Sequence, residues 1–257
     1  MLPFAVGEKR FSKGGAVMEK GEKETVAFVF AHPDDESFSS ACLIRQLRAA
    51  GHRPVLLLAT RGDAGQKNGY AVGATREELA AIRGKEMERA AAVLGLVAVE
   101  HLGLPDGKLQ EVGQERLVDG IVAFIERHRP RVVVTFPEDG MNFHPDHVAV
   151  SLAVTRAVVG GSCPSVKKLY YVLSDALRAS GRKASVVVDT KPDWEAKAEA
   201  LRAHESQRLA VLRHFGSLDV CPEHRRYESF VLRWERGTDW PDRAETSLLD
   251  ASAESQR

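Results

Sequence analysis

The stretch TVAFVFAHPDDES, residues 25–37, decides the fold class of this chain. Apart from its first residue, the run from 25 to 31 is continuously apolar and contains β-branched side chains, which is typical of a strand buried on both faces. The stretch SFSSACLIRQLRAAG, residues 37–51, then predicts a helix that ends at Gly51. A buried strand that leads directly into a helix is the repeating unit of a parallel α/β sheet.

The same alternation of strand and helix continues along the chain. Apolar runs predict three further strands, at 53–60, 97–102 and 131–136. Helical patterns follow them at about 75–95, around 117–125 and at about 146–159. Later strands are predicted at 168–173, 185–189 and 228–234, and a helix is expected to take Pro192 as its first residue. We therefore predict a Rossmann-like, doubly wound, mostly parallel sheet flanked by helices, with a smaller C-terminal region of strands and helix.

Both ends of the chain lack hydrophobic periodicity. Residues 1–24 are rich in Gly, Lys and Glu, and we expect them to form a flexible arm. Residues 237–257 are similar and are expected to form a flexible tail. The segment between them, 25–236, is long enough to bury a core of its own, so we predict a single domain there.

Composition excludes several classes of protein. The 36 Lys+Arg balance the 36 Asp+Glu, which argues against binding to nucleic acid or an anionic membrane over a broad surface. The three cysteines are scattered and form no CxxC pair, which favours a reducing compartment. The apolar patch at the start is too short for a signal peptide, and no run is long enough to span a membrane. We predict a cytoplasmic protein, and assembly into a homo-oligomer stays open.

Polar residues crowd the end of the first predicted strand: His32, Pro33, Asp34, Asp35 and Glu36. Ligands of open α/β sheets bind in the crevice beyond the carboxyl ends of the strands, which is where this segment lies. His32 and Asp35 are three residues apart, so both can face one point within a tight turn. Capping of the helix by Asp34 or Asp35 is the alternative explanation, but capping requires one Asp and no His.

A second polar segment, NFHPDHVAV at 142–150, follows the fourth predicted strand. His144 and His147 are also three residues apart, with Asp146 between them. Isolated histidines are usually surface or core residues. Two of them with an Asp, at the carboxyl end of another parallel strand, indicate a functional site.

Strands one and four are expected to be neighbours at the topological switch point, where the two segments would meet across one crevice. They would supply two His and one Asp as ligands, which is the arrangement of a catalytic zinc with one open position for water. A bound metal would lower the pKa of its water towards roughly 7 and polarise a substrate carbonyl. Asp34, if it is not a ligand, can act as general base, and His144 can stabilise an oxyanion or protonate the leaving amine. Because His and Asp also accept other divalent metals, Fe²⁺ or another ion stays open.

These residues resemble the LmbE-like, or PIG-L, family of metal-dependent N-deacetylases. The family carries an (A/P)HPDDE motif after its first strand and an HPDH-type motif after its fourth, which stand here at 31–36 and 144–147. The similarity extends over about 25–235 and includes IRxxE at 82–86, LPDG at 104–107 and KAEALRAHESQ at 197–207. The resemblance implies removal of an N-acetyl group from an N-acetylglucosamine-type amino sugar or conjugate, a small-molecule substrate.

The resemblance also implies a role for each matching residue. It makes His32, Asp35 and His147 the metal ligands and Asp34 the general base. His144 would stabilise the intermediate and act as acid. The resemblance also implies that Asp146 orients His144. Arg83 would bind the substrate, and Glu36 would support the motif loop.

Other functions stay open at this point. The same metal site would serve an amidase that acts on a thiol conjugate or another acylated amine. A nucleotide-binding domain with Mg²⁺ in the acidic loop is disfavoured because no glycine-rich phosphate motif follows the first strand. The natural substrate, the role of His204, and the choice between a mobile lid and an ordinary flexible loop at 61–74 are not decided by the sequence.

Overall fold

The computed structural model describes residues 23–251, and one sheet of eight strands forms the centre of this part of the chain. Its strands are β1 (Thr25–Phe30), β2 (Arg53–Thr60), β3 (Ala98–Leu104), β4 (Val132–Thr135), β5 (Lys168–Val172), β6 (Val186–Asp189), β7 (Tyr227–Glu235) and β8 (Thr238–Asp239). The strand order is β3-β2-β1-β4-β5-β7-β6, and β8 pairs with β7. The strands from β3 to β5 are parallel, whereas β7 is antiparallel to β5 and β6. The predicted doubly wound, mostly parallel sheet is confirmed.

Helices connect the strands and cover the sheet. They are α1 (Asp35–Ser39), α2 (Ala41–Ala49), α3 (Arg76–Leu94), α4 (Gln114–His128), α5 (Gly140–Phe143), α6 (Pro145–Val159), α7 (Asp175–Ala179), α8 (Trp194–Ala203) and α9 (Arg208–Phe215). Two predictions were wrong in detail. The helix expected at 37–51 is divided into α1 and α2, because Ser40 leaves the helical conformation at φ −145°. Pro192 lies in a 3₁₀ turn before α8 and not in its first position.

The central strand β1 explains where a site can form. Residues 26–30 are almost fully buried, since β1 has neighbours on both edges and helices on both faces. β1 pairs in parallel with β2 on one side and β4 on the other, and Val29 is level with Thr135. The chain moves away from β1 through β2 and β3 and then returns to its opposite side at β4. The carboxyl ends of β1 and β4 therefore flank the crevice at the topological switch point, as predicted.

The segment after β7 differs from expectation. Of the predicted flexible tail, residues 237–251 are described, and they pack against the sheet. Leu248 is 1% exposed, the Trp240 ring lies 5.8 Å from the Tyr171 ring, and Glu245 accepts a hydrogen bond of 2.7 Å from Lys168. The segment is fixed by contacts with distant strands, which local periodicity does not reveal.

The two ends of the chain are described only in part. Residues 1–22, almost all of the predicted arm, lie outside the described residues, as do 252–257. None of the helices within residues 23–251 contains an apolar stretch that would cross a bilayer.

Candidate metal centre

The two polar segments of the sequence meet beyond the adjacent ends of β1 and β4. His32 follows β1 by two residues, and His147 lies in the first turn of α6, after the loop that leaves β4. Their rings are 5.2 Å apart, although 115 residues separate them in sequence. The prediction that both segments share one crevice is confirmed.

Three donor atoms converge in this crevice: Nδ1 of His32, Nε2 of His147 and the carboxylate of Asp35. The two nitrogens are 3.3 Å apart. The Asp35 oxygens lie 3.5 Å from Nδ1 of His32 and 3.4 Å from Nε2 of His147. Ligands at the corners of a tetrahedron with bonds of about 2.0–2.1 Å are separated by about 3.3–3.4 Å. The two nitrogens therefore have the spacing of two ligands of a tetrahedral zinc, and the carboxylate of Asp35 lies beside both of them, with Oδ2 near His32 and Oδ1 near His147.

The second nitrogen of each ring has a partner that directs the first nitrogen at the metal position. Nε2 of His32 lies 3.1 Å from Asp146 and 3.0 Å from Asp106, and Nδ1 of His147 lies 3.0 Å from the carbonyl of Gly140. With hydrogens on these outer nitrogens, Nδ1 of His32 and Nε2 of His147 keep free lone pairs. A hydrogen bond from a ligand imidazole to a carboxylate or carbonyl is the usual support of a metal site.

Backbone and ring packing fix the ligands in place. Asp35 accepts hydrogen bonds from the backbone N–H groups of Ala31 and His32, at 3.2 and 2.7 Å. The His147 ring stacks on Phe136, with ring centres 4.0 Å apart and planes within 6°. Each ligand side chain is thus held before a metal binds.

The charges around the ligands favour a cation. Burial lowers the pKa of His32, but carboxylates of Asp106, Asp146 and Asp35 more than offset it and raise that pKa well above its usual value. For Asp35, burial acts to raise the pKa, but His147 and His32 more than offset burial and hold that pKa well below its usual range. A buried site that promotes a positive charge on an imidazole has an excess of negative charge. A divalent cation bound between the ligands would balance this negative charge.

Asp106 is a member of the site that the sequence did not identify. It follows β3 by two residues, is 5% exposed, and accepts a hydrogen bond of 2.6 Å from the Ala64 backbone as well as meeting His32. Its signal was the LPDG at 104–107, which was noted only as part of the family resemblance. An Asp directly after a third parallel strand lies at the same edge of the sheet as His32 and could have been predicted on that ground.

Asp34 lies beside the ligands, in contact with Arg83. The Arg83 guanidinium is 3.3 Å from the Asp34 carboxylate, and it also donates to the carbonyls of Pro33 and Gly62. Burial raises the pKa of Asp34 to about 6, although Arg83 opposes the shift. Arg83 itself is buried, and the contact to Asp34 is a relationship that the sequence did not indicate.

His144 and Asp146 occupy the start of α6. The backbone N–H of Asp146 donates to Nδ1 of His144 at 3.2 Å, so the hydrogen of that ring belongs on Nε2. The carboxylate of Asp146 turns the other way and meets His32 and the backbone N–H groups of Gly107 and Leu109, at 2.7 and 2.9 Å. The hydrogen bond of Asp146 to His144 thus comes from its backbone, while its side chain supports His32.

Glu36 and His204 form a buried pair behind the HPDDE loop. Nε2 of His204 is 3.1 Å from the Glu36 carboxylate, and neither side chain is exposed. The sequence left the role of His204 open. In the structure, His204 contacts Glu36, and Glu36 in turn contacts the backbone N–H of the predicted base Asp34.

The glycine-rich loop 61–74 covers Arg83. A side chain at Gly62 or Gly65 would collide with the guanidinium, so these glycines permit the close approach. The loop is tied to the segment after α8, because Gln207 donates to the Gln66 carbonyl at 2.7 Å and the Asn68 N–H donates to the Ser206 carbonyl at 3.0 Å. In this structure, these hydrogen bonds hold the loop in place over Arg83.

Comparison with known proteins agrees with this geometry. Residues 27–158 match the family described as PIG-L, GlcNAc-PI de-N-acetylase. A Bacillus cereus protein named "Probable N-acetyl-alpha-D-glucosaminyl L-malate deacetylase 2" is 32% identical over 215 residues, which cover 81% of this chain and 93% of that protein. The chain belongs to the PIG-L family.

Other proteins extend this result. The PIG-L relative from Mycolicibacterium vanbaalenii, "1D-myo-inositol 2-acetamido-2-deoxy-alpha-D-glucopyranoside deacetylase", is 31% identical and covers 80% of this chain and 85% of its own. The solved structure of N,N'-diacetylchitobiose deacetylase from Pyrococcus horikoshii shares the fold, with a TM-score of 0.64 at 21% identity, covering 82% and 84% of the two chains. As a PIG-L member, the chain is a deacetylase, an enzyme that hydrolyses an amide bond, and the predicted enzyme class is confirmed.

Proposed function

We propose that this chain is a zinc-dependent hydrolase that removes the N-acetyl group from an N-acetylglucosamine-type amino sugar or conjugate. One observation carries the proposal: Nδ1 of His32 and Nε2 of His147 lie 3.3 Å apart, each lies within 3.5 Å of an Asp35 oxygen, and the outer nitrogen of each histidine is already engaged. The named activities of the Bacillus and Mycolicibacterium relatives support the substrate class. The cytoplasm is the proposed location, as the sequence suggested.

His32, Asp35 and His147 would hold the ion. When bound, zinc supplies a Lewis acid that makes water acidic near neutral pH and polarises the amide carbonyl. Fe²⁺ suits the same ligands, and zinc is preferred here because sites of nitrogen and oxygen ligands generally bind Zn²⁺ more tightly than Fe²⁺.

Asp34 is the proposed general base. Its carboxylate takes a proton from the attacking water, and Arg83 orients it through the 3.3 Å contact. A base with a pKa of about 6 is largely ionised at neutral pH and still accepts a proton readily. Arg83 also remains the proposed contact for a substrate hydroxyl.

His144 is the proposed acid. Because its Nδ1 accepts from the Asp146 backbone, its Nε2 carries a hydrogen that can be donated in a hydrogen bond to the oxyanion. When His144 passes that proton to the departing amine, the proton that Asp34 took from the water replaces it, so the imidazole ends neutral. Asp146 supports the site from two sides, with its N–H on His144 and its carboxylate on His32. Glu36 keeps the motif loop in shape.

An assay of acetate release tests the function. The purified protein would be given N-acetylglucosaminyl conjugates with an acidic and with a neutral aglycone, an N-acetyl amine that lacks a sugar, and an amide of a thiol conjugate. We expect equal amounts of acetate and free amine from the sugar conjugates, loss of activity with a chelator, and its return with zinc. Hydrolysis of the thiol-conjugate amide alone would replace this function by the amidase. Activity that is insensitive to the chelator would contradict the metal mechanism.

A further inference from the structure

Asp34 has a strained backbone. Its φ of 114° and ψ of −27° lie in a region that residues with a Cβ rarely occupy, and its side chain makes no capping hydrogen bond to α1. Such conformations persist only where the surroundings hold them, and they concentrate at functional sites. Something must therefore fix the peptide group of Asp34.

The peptide group between Pro33 and Asp34 is held from two sides, by Arg83 at the Pro33 carbonyl and by the Glu36 carboxylate at the Asp34 N–H. One Glu36 oxygen accepts from the backbone N–H of Asp34 at 3.1 Å, and the other accepts from the Ser37 hydroxyl at 2.6 Å. Glu36 is completely buried, and a buried carboxylate is costly unless it is paired and hydrogen-bonded. The Asp34 backbone is thus held by a group that itself needs a partner.

His204 is that partner, although it lies 168 residues away in sequence. Within residues 23–251 it is the one ionisable side chain of opposite charge in contact with Glu36, at 3.1 Å. Burial lowers the pKa of His204, but Glu36 more than offsets this and raises it, which agrees with a charged pair.

His204 is in turn fixed by the turn that follows α8. Its carbonyl accepts from the Gln207 backbone at 2.9 Å. Ser206 donates to Glu86 of α3 through both its N–H and its hydroxyl, at 2.7 and 2.6 Å. A rigid turn on one side of the crevice therefore holds His204 against the loop on the other side.

We propose that His204 is a positioning residue for Asp34, acting through Glu36, and does not itself touch substrate or metal. Its kinetic consequence rests on the proposed function. Without His204, the Glu36 carboxylate would lose its fixed orientation and its hydrogen bond to the Asp34 N–H, so Arg83 alone would hold this peptide group. The ligand side chains would keep their own backbone and ring contacts. The base would then be misplaced in an intact metal site.

Three variants test this by kinetics in the zinc-loaded protein. His204→Ala should lower kcat by about 100-fold, the effect of a misplaced catalytic group, with KM nearly unchanged and zinc content as in the wild type. His204→Gln places an amide N–H near the former Nε2, so it should recover most of kcat. His204→Asn offers its amide nearer Nδ1, so it should not.

His128→Gln is a matched control. His128 lies 2.6 Å from Glu100 in a pair of the same chemistry, far from the crevice. It should leave kcat unchanged. Unaltered kcat in zinc-loaded His204→Ala, or a folded His204→Gln that recovers nothing, would overturn the proposal.

Amide hydrogen exchange of the peptide that spans 31–40 tests the same inference without activity. His204→Ala should speed exchange of the Asp34 N–H by about tenfold, with residues 53–60 unchanged. His204→Gln should restore slow exchange, and equal exchange in wild type and His204→Ala would overturn the proposal. If the wild type deacetylates nothing, the proposed function fails, and the exchange experiment still decides the role of His204.

Discussion

Two clusters of buried charged side chains lie at opposite ends of the sheet, and their charges are balanced differently. The metal-site cluster, at the carboxyl ends of β1 and β4, contains four carboxylates: Asp34, Asp35, Asp106 and Asp146. Among residues 23–251, Arg83 is the one Lys or Arg in ion-pair contact with them. The histidines between them must supply the remaining positive charge or bind a cation.

The C-terminal cluster lies at the amino end of β5, where the segment 237–251 returns to the sheet. It consists of Lys168, Tyr170, Glu235, Arg243 and Glu245. Each carboxylate has permanent cations beside it, since Glu245 is 2.7 Å from Lys168 and 2.6 Å from Arg243. No charge is left over among these side chains.

The difference shows how two clusters of charged side chains in one sheet serve different purposes. A balanced cluster fastens one segment to another, and its contribution is to stability. In the metal-site cluster, burial raises the pKa of Asp34 to about 6, and the surplus carboxylates raise the pKa of His32 well above its usual value despite its burial. Such a site carries an electrostatic cost that a bound cation relieves.

The largest effect is expected from Asp34→Asn in the metal-site cluster. The change removes the base and keeps the shape, so turnover should fall by about 10²–10⁴-fold while zinc content stays at the wild-type level. Acetate release and metal analysis measure the two quantities. Loss of zinc together with turnover would make Asp34 a ligand.

Glu245→Gln, in the C-terminal cluster, should change stability and leave turnover as it is. It leaves Lys168 buried with a weaker partner, so the free energy of unfolding should fall by about 3 kcal/mol, with unchanged turnover of the folded protein. Urea unfolding measures it, and Glu115→Gln, which removes an exposed pair with Arg156, is the control with a much smaller effect. Equal stability of the two variants would mean that 237–251 does not fasten the sheet.

Asp106→Asn probes the surplus charge directly. Removing one carboxylate from Nε2 of His32 should weaken zinc binding by about 10–100-fold. Competition with a coloured chelator gives the affinity. Asp63→Asn, in the loop after β2 and paired with Arg76 near the surface, should bind zinc like the wild type. Unchanged affinity in Asp106→Asn would leave Asp146 as the sole support of His32.

The smallest effect concerns acid. Burial raises the pKa of Glu235, but Arg243 and Lys168 more than offset it and hold that pKa below its ordinary value of 4.5. A lowered pKa contributes stability that is present above the ordinary value and lost as the pH falls through the folded-state value. Stability should therefore decline below pH 4.5. Arg243→Gln should reduce this decline by on the order of 1 kcal/mol, measured by urea unfolding at neutral and acidic pH. An identical decline in both proteins would exclude the pair as its source.

Local pattern was sufficient to predict the sheet and the meeting of the two motifs. Continuous apolar runs locate the parallel strands, and the switch-point rule then brings 31–36 and 142–147 together. The three ligands followed from the resemblance to PIG-L proteins, and their convergence is visible in the structure.

Contacts between distant segments could not be predicted in this way. His204 meets Glu36 across 168 residues, and Lys168 meets Glu245 across 77. The HPDDE motif and the 197–207 segment were noted in the sequence, but nothing local indicates that Glu36 and His204 pair with each other. The break of the first helix at Ser40 was missed because it interrupts the helix for a single residue, after which α2 resumes at Ala41.

The most direct test of the difference between the clusters is the amount of zinc bound per chain. Equilibrium dialysis against Zn²⁺, followed by metal analysis, would compare the wild type with His147→Ala and with Glu245→Gln. We predict one tightly bound zinc in the wild type and in Glu245→Gln, and loss of that ion in His147→Ala. Zinc bound by His147→Ala with the stoichiometry and affinity of the wild type would contradict the account.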